Sequence, residues 1–472
     1  MTVSTVDLDP SLVDTGTYTS RQRRHLIDVS FLISLLALLA LMLPAGLVLP
    51  QFSDLGRPAT LMGLALFLVW LLARAHPRLA TRGPQPMRWA VAAYLTSFMI
   101  SYAAGLYRSM PSIEASGADR AMLACLAFLG PMVAFADGVP NRQRLDSVIQ
   151  TMVFAASGMA FIGILQATMG IDLAAYIKVP GLINLSDYGG GIPEAGSSRS
   201  GVASTAAHYI EFGALMAMIL PFGVHMARFA ERGIARQASA VATVLILAAI
   251  PMTVSRTGTL ALLVTLIVMI PFWNWRMRYN LGLPFLALMA ALAVIRPGLL
   301  GSVTGLFSNW GNDPSVQGRK DDYEIVGYFF SQRPWFGRGQ GTFIPSVYTF
   351  LDNQWLGHVV SGGIVGVATL AGLHLTAIVL AVMAFRRSTK PADRHLCGCL
   401  ITVQLVAIVV EGTFDALSFT TFVAVLSVVT GCAGALWRLL HPSRQIRTQG
   451  PGAVQHDRGG EPVPAPKTSV KA

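Results

Sequence analysis

The chain alternates long apolar runs with short polar interruptions. Stretches such as 31–49 and 238–254 carry almost no charge. They approach the ~20 residues that a helix needs to cross the hydrocarbon of a bilayer. Apolar runs are read near 26–49, 58–74, 89–107, 119–136, 148–170, 207–227, 238–254, 258–273, 281–296, 355–384, 396–413 and 418–438. The pattern predicts an all-α integral membrane protein with about twelve transmembrane helices. The run at 355–384 is long and opens with glycines, so its first part is expected to form a separate outer half-helix.

Charge then orients the spans. Alternate loops hold Arg74, Arg78, Arg82 and Arg88; Arg142 and Arg144; Arg228, Arg232 and Arg236; Arg276 and Arg278; and Arg386, Arg387, Lys390 and Arg394. The N-terminal flank, with Arg21, Arg23 and Arg24, and the basic C-terminal tail fall on the same side. Together they hold 24 of the 35 Lys and Arg. Positive charge is retained on the cytoplasmic side, so both termini are expected inside and the number of spans even. Residues 1–25 and 441–472 read as disordered cytoplasmic ends, with the membrane domain at 26–440. The hydrophobic run after Arg24 is longer than a signal h-region, and further spans follow it.

Composition agrees. Charged residues make up 12% and hydrophobic residues 53%, against roughly 25% charged in soluble domains. The net charge of +11 would suggest nucleic acid in a soluble chain. Here the charges lie between apolar segments, and no nucleic-acid partner is expected. Cys125, Cys397, Cys399 and Cys432 all sit in apolar segments, so no structural disulfide is expected. Cys397-Gly-Cys399 is not a CxxC pair, and no His or second pair accompanies it at zinc spacing. It reads as small residues packing in a helix, and no metal site is expected.

Two outer segments are long, about 171–206 and 297–354. Loops of this length in a compact bundle are usually functional or disordered. The second holds a helical patch from Gly318 to Gln332, whose Ile325, Val326, Phe329 and Phe330 face suits the bundle top or the membrane interface.

The candidate chemistry gathers on this outer side. Arg256, in Ser255-Arg-Thr-Gly258, joins two short spans and has no carboxylate close in sequence. Arg199 precedes a span, and Arg319 opens the helix of the second loop. Arginine binds phosphate oxygens bidentately, so convergent arginines suit a diphosphate; pairing with Glu194, Asp321 or Asp322 is the plainer alternative. His208 and Glu211 lie three apart on one helical face. They could order a substrate hydroxyl, or bond each other and a neighbouring helix. Gly337-Arg-Gly-Gln-Gly-Thr342 reads as a tight turn with close backbone approach, since no strand precedes it. Asp352 and Asn353 stand at a helix start, as a cap or as a base beside a reacting centre. His358 lies one turn deeper. Glu411 and Asp415 could face the same cavity or make packing hydrogen bonds.

Taken in order, these segments resemble the bacterial O-antigen ligase and O-antigen polymerase superfamily. The resemblance rests on Arg199-Ser-Gly201 with Glu211-Phe-Gly213 and Leu220-Pro221; Ser255-Arg-Thr-Gly258; Gly318-Arg319 through Pro334-Trp-Phe-Gly-Arg-Gly-Gln-Gly-Thr-Phe343; and Asp352-Asn-Gln-Trp-Leu356 with Gly363-Ile-Val-Gly366. It runs over about 195–370. It implies a bacterial plasma-membrane enzyme that moves a glycan from a polyprenyl-diphosphate carrier to an acceptor hydroxyl on the extracytoplasmic face. The implied partners are that lipid-linked glycan, a glycan or glycolipid acceptor, the bilayer and other polysaccharide-assembly membrane proteins. No cofactor is implied. Arg199, Arg256 and Arg319 match arginines assigned to the diphosphate, and Asp352 stands where many members carry a catalytic His. Two departures are notable. Ordinary Asp is a far weaker base than His, so burial would have to raise its pKa. Ser361 also replaces the usual Glu before the first glycine. A transporter or flippase for a lipid-linked glycan is the alternative reading. That class places polar groups at the bilayer midplane on repeated halves, and no repeat is found here. A non-catalytic scaffold is disfavoured by the concentration of outer arginines.

The charge partition predicts that 297–354 is extracytoplasmic. Cysteines introduced there should react with an impermeant thiol reagent in intact cells; labelling only after lysis would reverse the orientation.

Overall fold

The computed structural model describes residues 28–76, 83–185, 201–295 and 314–441. It is an all-α membrane protein. Its helices are α1 (Val29–Met42), α2 (Pro58–Ala75), α3 (Pro86–Tyr107), α4 (Ser112–Gly138), α5 (Arg142–Met169), α6 (Tyr209–Phe229), α7 (Gly233–Met252), α8 (Arg256–Met269), α9 (Trp275–Ile295), α10 (Pro314–Gln332), α11 (Gln354–Arg387), α12 (Pro391–Glu411) and α13 (Thr420–Leu439). Each run expected to span holds one of these helices, and α10 is the helix expected within the long loop. Among the described residues, nine helices are long and apolar enough to cross a membrane: α2 to α7 and α11 to α13. A two-residue antiparallel bridge, Leu47–Val48 with Ile183–Asn184, joins two loops.

Helix starts follow local chemistry. Asp28 caps α1, Asn141 caps α5 and Ser255 caps α8, each accepting from the backbone N–H three residues on, which satisfies donors that a helix N-terminus leaves open. α6, α12 and α13 form the centre and are buried along most of their length. Close crossings use glycine. The Cα atoms of Gly213 and Gly258 approach so closely that a Cβ on either would stand 3.1 Å from the other's Cα, so the N-terminal ends of α6 and α8 touch backbone to backbone.

The feature that organises the loop end of the bundle is a break in α11. Gly363 has φ +64° and ψ −161° inside this helix. The break releases carbonyls before it and N–H groups after it, and none of these can stay unpaired in an apolar setting. The turn following α10 takes them up. Ile364 N–H donates to Pro334 O at 2.8 Å and Val365 N–H to Trp335 O at 3.1 Å, while Arg338 N–H donates to Val360 O and Gly339 N–H to Ser361 O, each at 3.0 Å. The half-helix expected from the glycines is thus residues 354–362, held by the Gly-rich turn.

A buried ionic cluster fastens the same turn to the bundle. Arg338 donates to Glu114 of α4 at 3.0 Å, and Glu114 also pairs with Arg108 and with the Tyr348 hydroxyl. The Arg338 guanidinium lies over the rings of Tyr348 and Phe329, 4.3 and 4.8 Å from their centroids. On α10, Val326 and Phe329 pack in one cluster with Val360 and Val359 of the half-helix, so the apolar face read in the sequence covers the loop end of the bundle.

Gly363→Ala should be strongly destabilising. A Cβ there would stand 2.5 Å from Trp335 C and 2.6 Å from Pro334 O, beyond the roughly 1–3 kcal/mol of backbone strain at positive φ. Thermal unfolding in detergent should show a lower midpoint, and limited proteolysis should cut faster near 334–341. An unchanged midpoint would contradict this account of the break.

Candidate active site

At the loop end, the first turn of α11 builds the site by gripping the turn between α12 and α13. Asn353, not Asp352, is the N-cap: its Oδ1 accepts from Trp355 N–H and Leu356 N–H, and its Nδ2 donates to Gly412 O at 3.0 Å. Gln354 N–H donates to Phe414 O at 3.2 Å, and its Oε1 accepts from Leu417 N–H at 2.8 Å. Trp355 Nε1 donates to Ile408 O at 3.1 Å. Three consecutive side chains therefore set the position of Asp415.

The Leu417 bond also settles the His358 tautomer. It orients the Gln354 amide so that Nε2 donates to His358 Nδ1 at 2.8 Å. The ring proton must then sit on Nε2, which donates to Tyr94 Oη at 3.0 Å. His358 is buried and stacked on Tyr94.

These groups border one cavity of about 500 Å³. Arg57, Arg120, Asn353, His358 and Asp415 contribute its polar wall, and Leu36, Phe98, Phe128, Pro131, Val423 and Ala424 its apolar wall. On α4 the lining runs from Gly117 to Pro131, roughly 21 Å at 1.5 Å per residue. The cavity thus reaches from the loop end into the middle of the bundle. Gln340 and Gly341 of the Gly-rich turn help to roof it.

The carboxylates here are unequal. Asp352 is exposed and lies outside the cavity lining. Asp415 is half-buried, and its pKa is pushed up to about 6, first by burial and further by the negative charge of Asp352, against a hydrogen bond from Ser418. His208 is the N-cap of α6, its Nδ1 accepting from Ile210 N–H at 3.3 Å. Burial lowers its pKa, and Asp352 opposes that shift. Asp352, Asp415 and His208 therefore share one electrostatic neighbourhood.

Other residues singled out in the sequence lie elsewhere. His208 and Glu211 do not bond each other. Glu211 is fully buried and accepts from Ala207 N–H at 2.9 Å and Phe422 N–H at 3.0 Å, tying the start of α6 to the start of α13. Glu411 does not line the cavity. Its Oε1 lies 3.2 Å from His374 Nε2, and His374 Nδ1 contacts Gln404 Oε1 at 2.8 Å. Arg256 is half-buried in the first turn of α8 and outside the cavity lining. The neighbouring Thr257 bonds Thr413 at 3.0 Å, so the turn of Arg256 abuts the turn of Asp415. Arg199 and the side chain of Arg319 lie outside the described residues.

Arg57 and Arg120 are cavity residues that the motif reading passed over. Both were signalled: Arg57 falls outside the loops that the charge partition assigns to the inside, and Arg120 falls inside an apolar run, where arginine is costly unless it serves a wet cavity or a partner. Arg57 donates to Ala45 O at 3.1 Å and to Thr420 Oγ1 at 2.9 Å.

The fold and the site define a multi-pass helical membrane protein with an amphipathic cavity roofed by a long inter-helix loop. Residues 241–371 match the family model described as O-antigen ligase, so this segment of the chain is similar to that family. The matched segment runs from α7 through the break of α11 and supports a role in polysaccharide assembly as a glycosyltransferase-like membrane enzyme. No curated protein matches the chain significantly.

Glu211→Ala separates a structural from a substrate role. It leaves two buried N–H groups without their acceptor, at about 1–3 kcal/mol each. The thermal midpoint should fall, while Michaelis constants of the folded fraction stay unchanged. A variant with wild-type stability and a raised acceptor KM would place Glu211 on the substrate instead.

Proposed function

We propose that this protein transfers a glycan from a polyprenyl-diphosphate carrier to an acceptor hydroxyl on the extracytoplasmic face of a bacterial plasma membrane, as a polymerase or a ligase. The cavity carries this reading. It combines cations, a carboxylate and a histidine at the loop end with a long apolar wall inside the bundle. A ligand with a charged head and a hydrocarbon tail matches that division, since each part meets the surface that solvates it. The 24 of 35 Lys and Arg on the opposite side orient the cavity mouth outward.

In this reaction the acceptor oxygen attacks the anomeric carbon. The bond from that carbon to the diphosphate oxygen breaks, and the lipid diphosphate leaves. The acceptor proton goes to a carboxylate. Asp415 suits that role better than Asp352, because it borders the cavity and its pKa of about 6 lies near the operating pH that favours a general base. Asp352 then acts as its electrostatic neighbour. The leaving diphosphate is met by Arg57 and Arg120 in the cavity. Arg256, Arg199 and Arg319 are assigned to the same diphosphate by family position. His358, neutral and held by Gln354 and Tyr94, orders the polar wall.

Purified protein given a polyprenyl-diphosphate glycan should show transfer. Asp415→Asn should reduce turnover by roughly 10²–10⁴, the usual loss of a general base. Wild-type activity should fall as pH drops through about 6, where Asp415 takes up a proton. Asp352→Asn removes a like charge and so lowers the Asp415 pKa; the acid limb should move to lower pH with most turnover kept. Loss of turnover in Asp352→Asn alone, with Asp415→Asn active, would assign the base to Asp352. No transfer from any lipid-diphosphate glycan would overturn the reading.

A further inference from the structure

About 21 Å along α6 from Glu211, at 1.5 Å per residue, a second cluster lies at the other end of the bundle. His225 of α6 faces His395 and Cys399 of α12, and all three are buried. His395 and Cys399 are four residues apart and so share a helical face. Three potential ligand atoms converge. His225 Nδ1 and His395 Nδ1 are 3.2 Å apart, Cys399 Sγ is 3.5 Å from His395 Nδ1, and all three atoms lie within 4.8 Å of one another. Metal–nitrogen bonds near 2.0 Å and metal–sulfur bonds near 2.3 Å give ligand separations of roughly 3.3–3.5 Å (N to N) and 3.5–3.7 Å (N to S) for tetrahedral to trigonal geometry. The two separations that His395 makes, to His225 and to Cys399, are close to those values before any ion enters.

We propose that His225, His395 and Cys399 form a binding site for one soft d¹⁰ cation, and that monovalent copper fits it best. Thiolate and imidazole together select Cu(I) or Zn(II) over hard ions. Two features favour Cu(I). Among the described residues no fourth His, Cys, Asp or Glu joins the cluster, whereas protein-bound zinc takes a fourth ligand. Binding also releases the Cys399 proton, and Cu(I) with one thiolate is neutral. Zinc would leave a net positive charge buried in apolar surroundings, which is costly, and Arg228 and Arg142 already stand close to the two histidines. The cluster is remote from the cavity, so the site is structural and independent of the transfer reaction. It would link α6, which carries Glu211 and the His208 cap, to α12, which leads into the turn of Asp415.

The test is copper retention by the full-length protein in detergent under reducing, anaerobic conditions, with a Cu(I) chelator as competitor. Wild type should hold one equivalent of Cu(I), and Cys397→Ser should match it. Cys399→Ser and His225→Gln should each lose at least about a hundredfold in affinity. Cu(I) should raise the thermal midpoint of wild type but not that of Cys399→Ser, as expected for an ion that binds only the folded state; comparison of the metal-free midpoints shows whether each variant is folded. X-ray absorption of the loaded protein should give one sulfur and two nitrogen neighbours. Equal retention by wild type and Cys399→Ser, equal loss in Cys397→Ser, or failure of folded wild type to hold Cu(I) would each overturn the site. Retention of Zn(II) in preference to Cu(I) would overturn the copper assignment.

Discussion

The loop end of the molecule depends on the paired repair of one broken helix. A helix in lipid satisfies its own backbone, and an interruption exposes donors and acceptors with no water to take them. The break at Gly363 is stable because the turn at 334–339 supplies two acceptors and two donors in the required register. The exchange works in both directions. The turn alone would have no fixed geometry, and the half-helix at 354–362 would have no reason to stop. Once joined, they place Gln340 and Gly341 over the cavity and set the first turn of α11 against the turn of Asp415.

The ionic cluster around Glu114 adds specificity to this arrangement. Buried ion pairs contribute little net stability, because desolvation offsets their attraction, yet breaking one is costly. Arg108 and Arg338 converge on one carboxylate, so a loop shifted by a single residue would leave charges buried without partners. The loop is thus held in one register above the cavity. Cross-helix bonds from Asn353, Gln354 and Trp355 do the same for the 408–417 segment.

The consequence for chemistry is a division of labour among acidic residues that look alike in sequence. Glu211 is taken up by two backbone N–H groups, and Glu411 contacts His374 through one oxygen. Asp352 faces solvent. Asp415 alone among them borders the cavity, with a pKa moved by burial and by a neighbouring carboxylate. Paired acids whose environments push their pKa values apart are a recurrent source of acid–base roles.

Much of the architecture was legible in the chain itself. Apolar runs of spanning length give the helices, because lipid forces the backbone to bond within each segment. The glycines opening the 355–384 run marked the half-helix, and the apolar face of α10 marked the bundle top. The ordered motifs around Ser255 and Asp352 pointed to the O-antigen ligase family. Roles within the site were not legible, for a physical reason. Asp352 and Asp415 are 63 positions apart, and which of them borders the cavity depends on how Asn353 and Gln354 grip a turn far along the chain. Arg57 reaches the cavity through the start of α2, and Arg120 through the first turns of α4. His225 meets His395 and Cys399 only because α6 packs on α12. Sequence by itself determined which segments form apolar helices, since that depends on local apolarity. Only the tertiary structure decided which polar groups meet, since burial, charge and hydrogen-bond partners arise between helices distant in the chain.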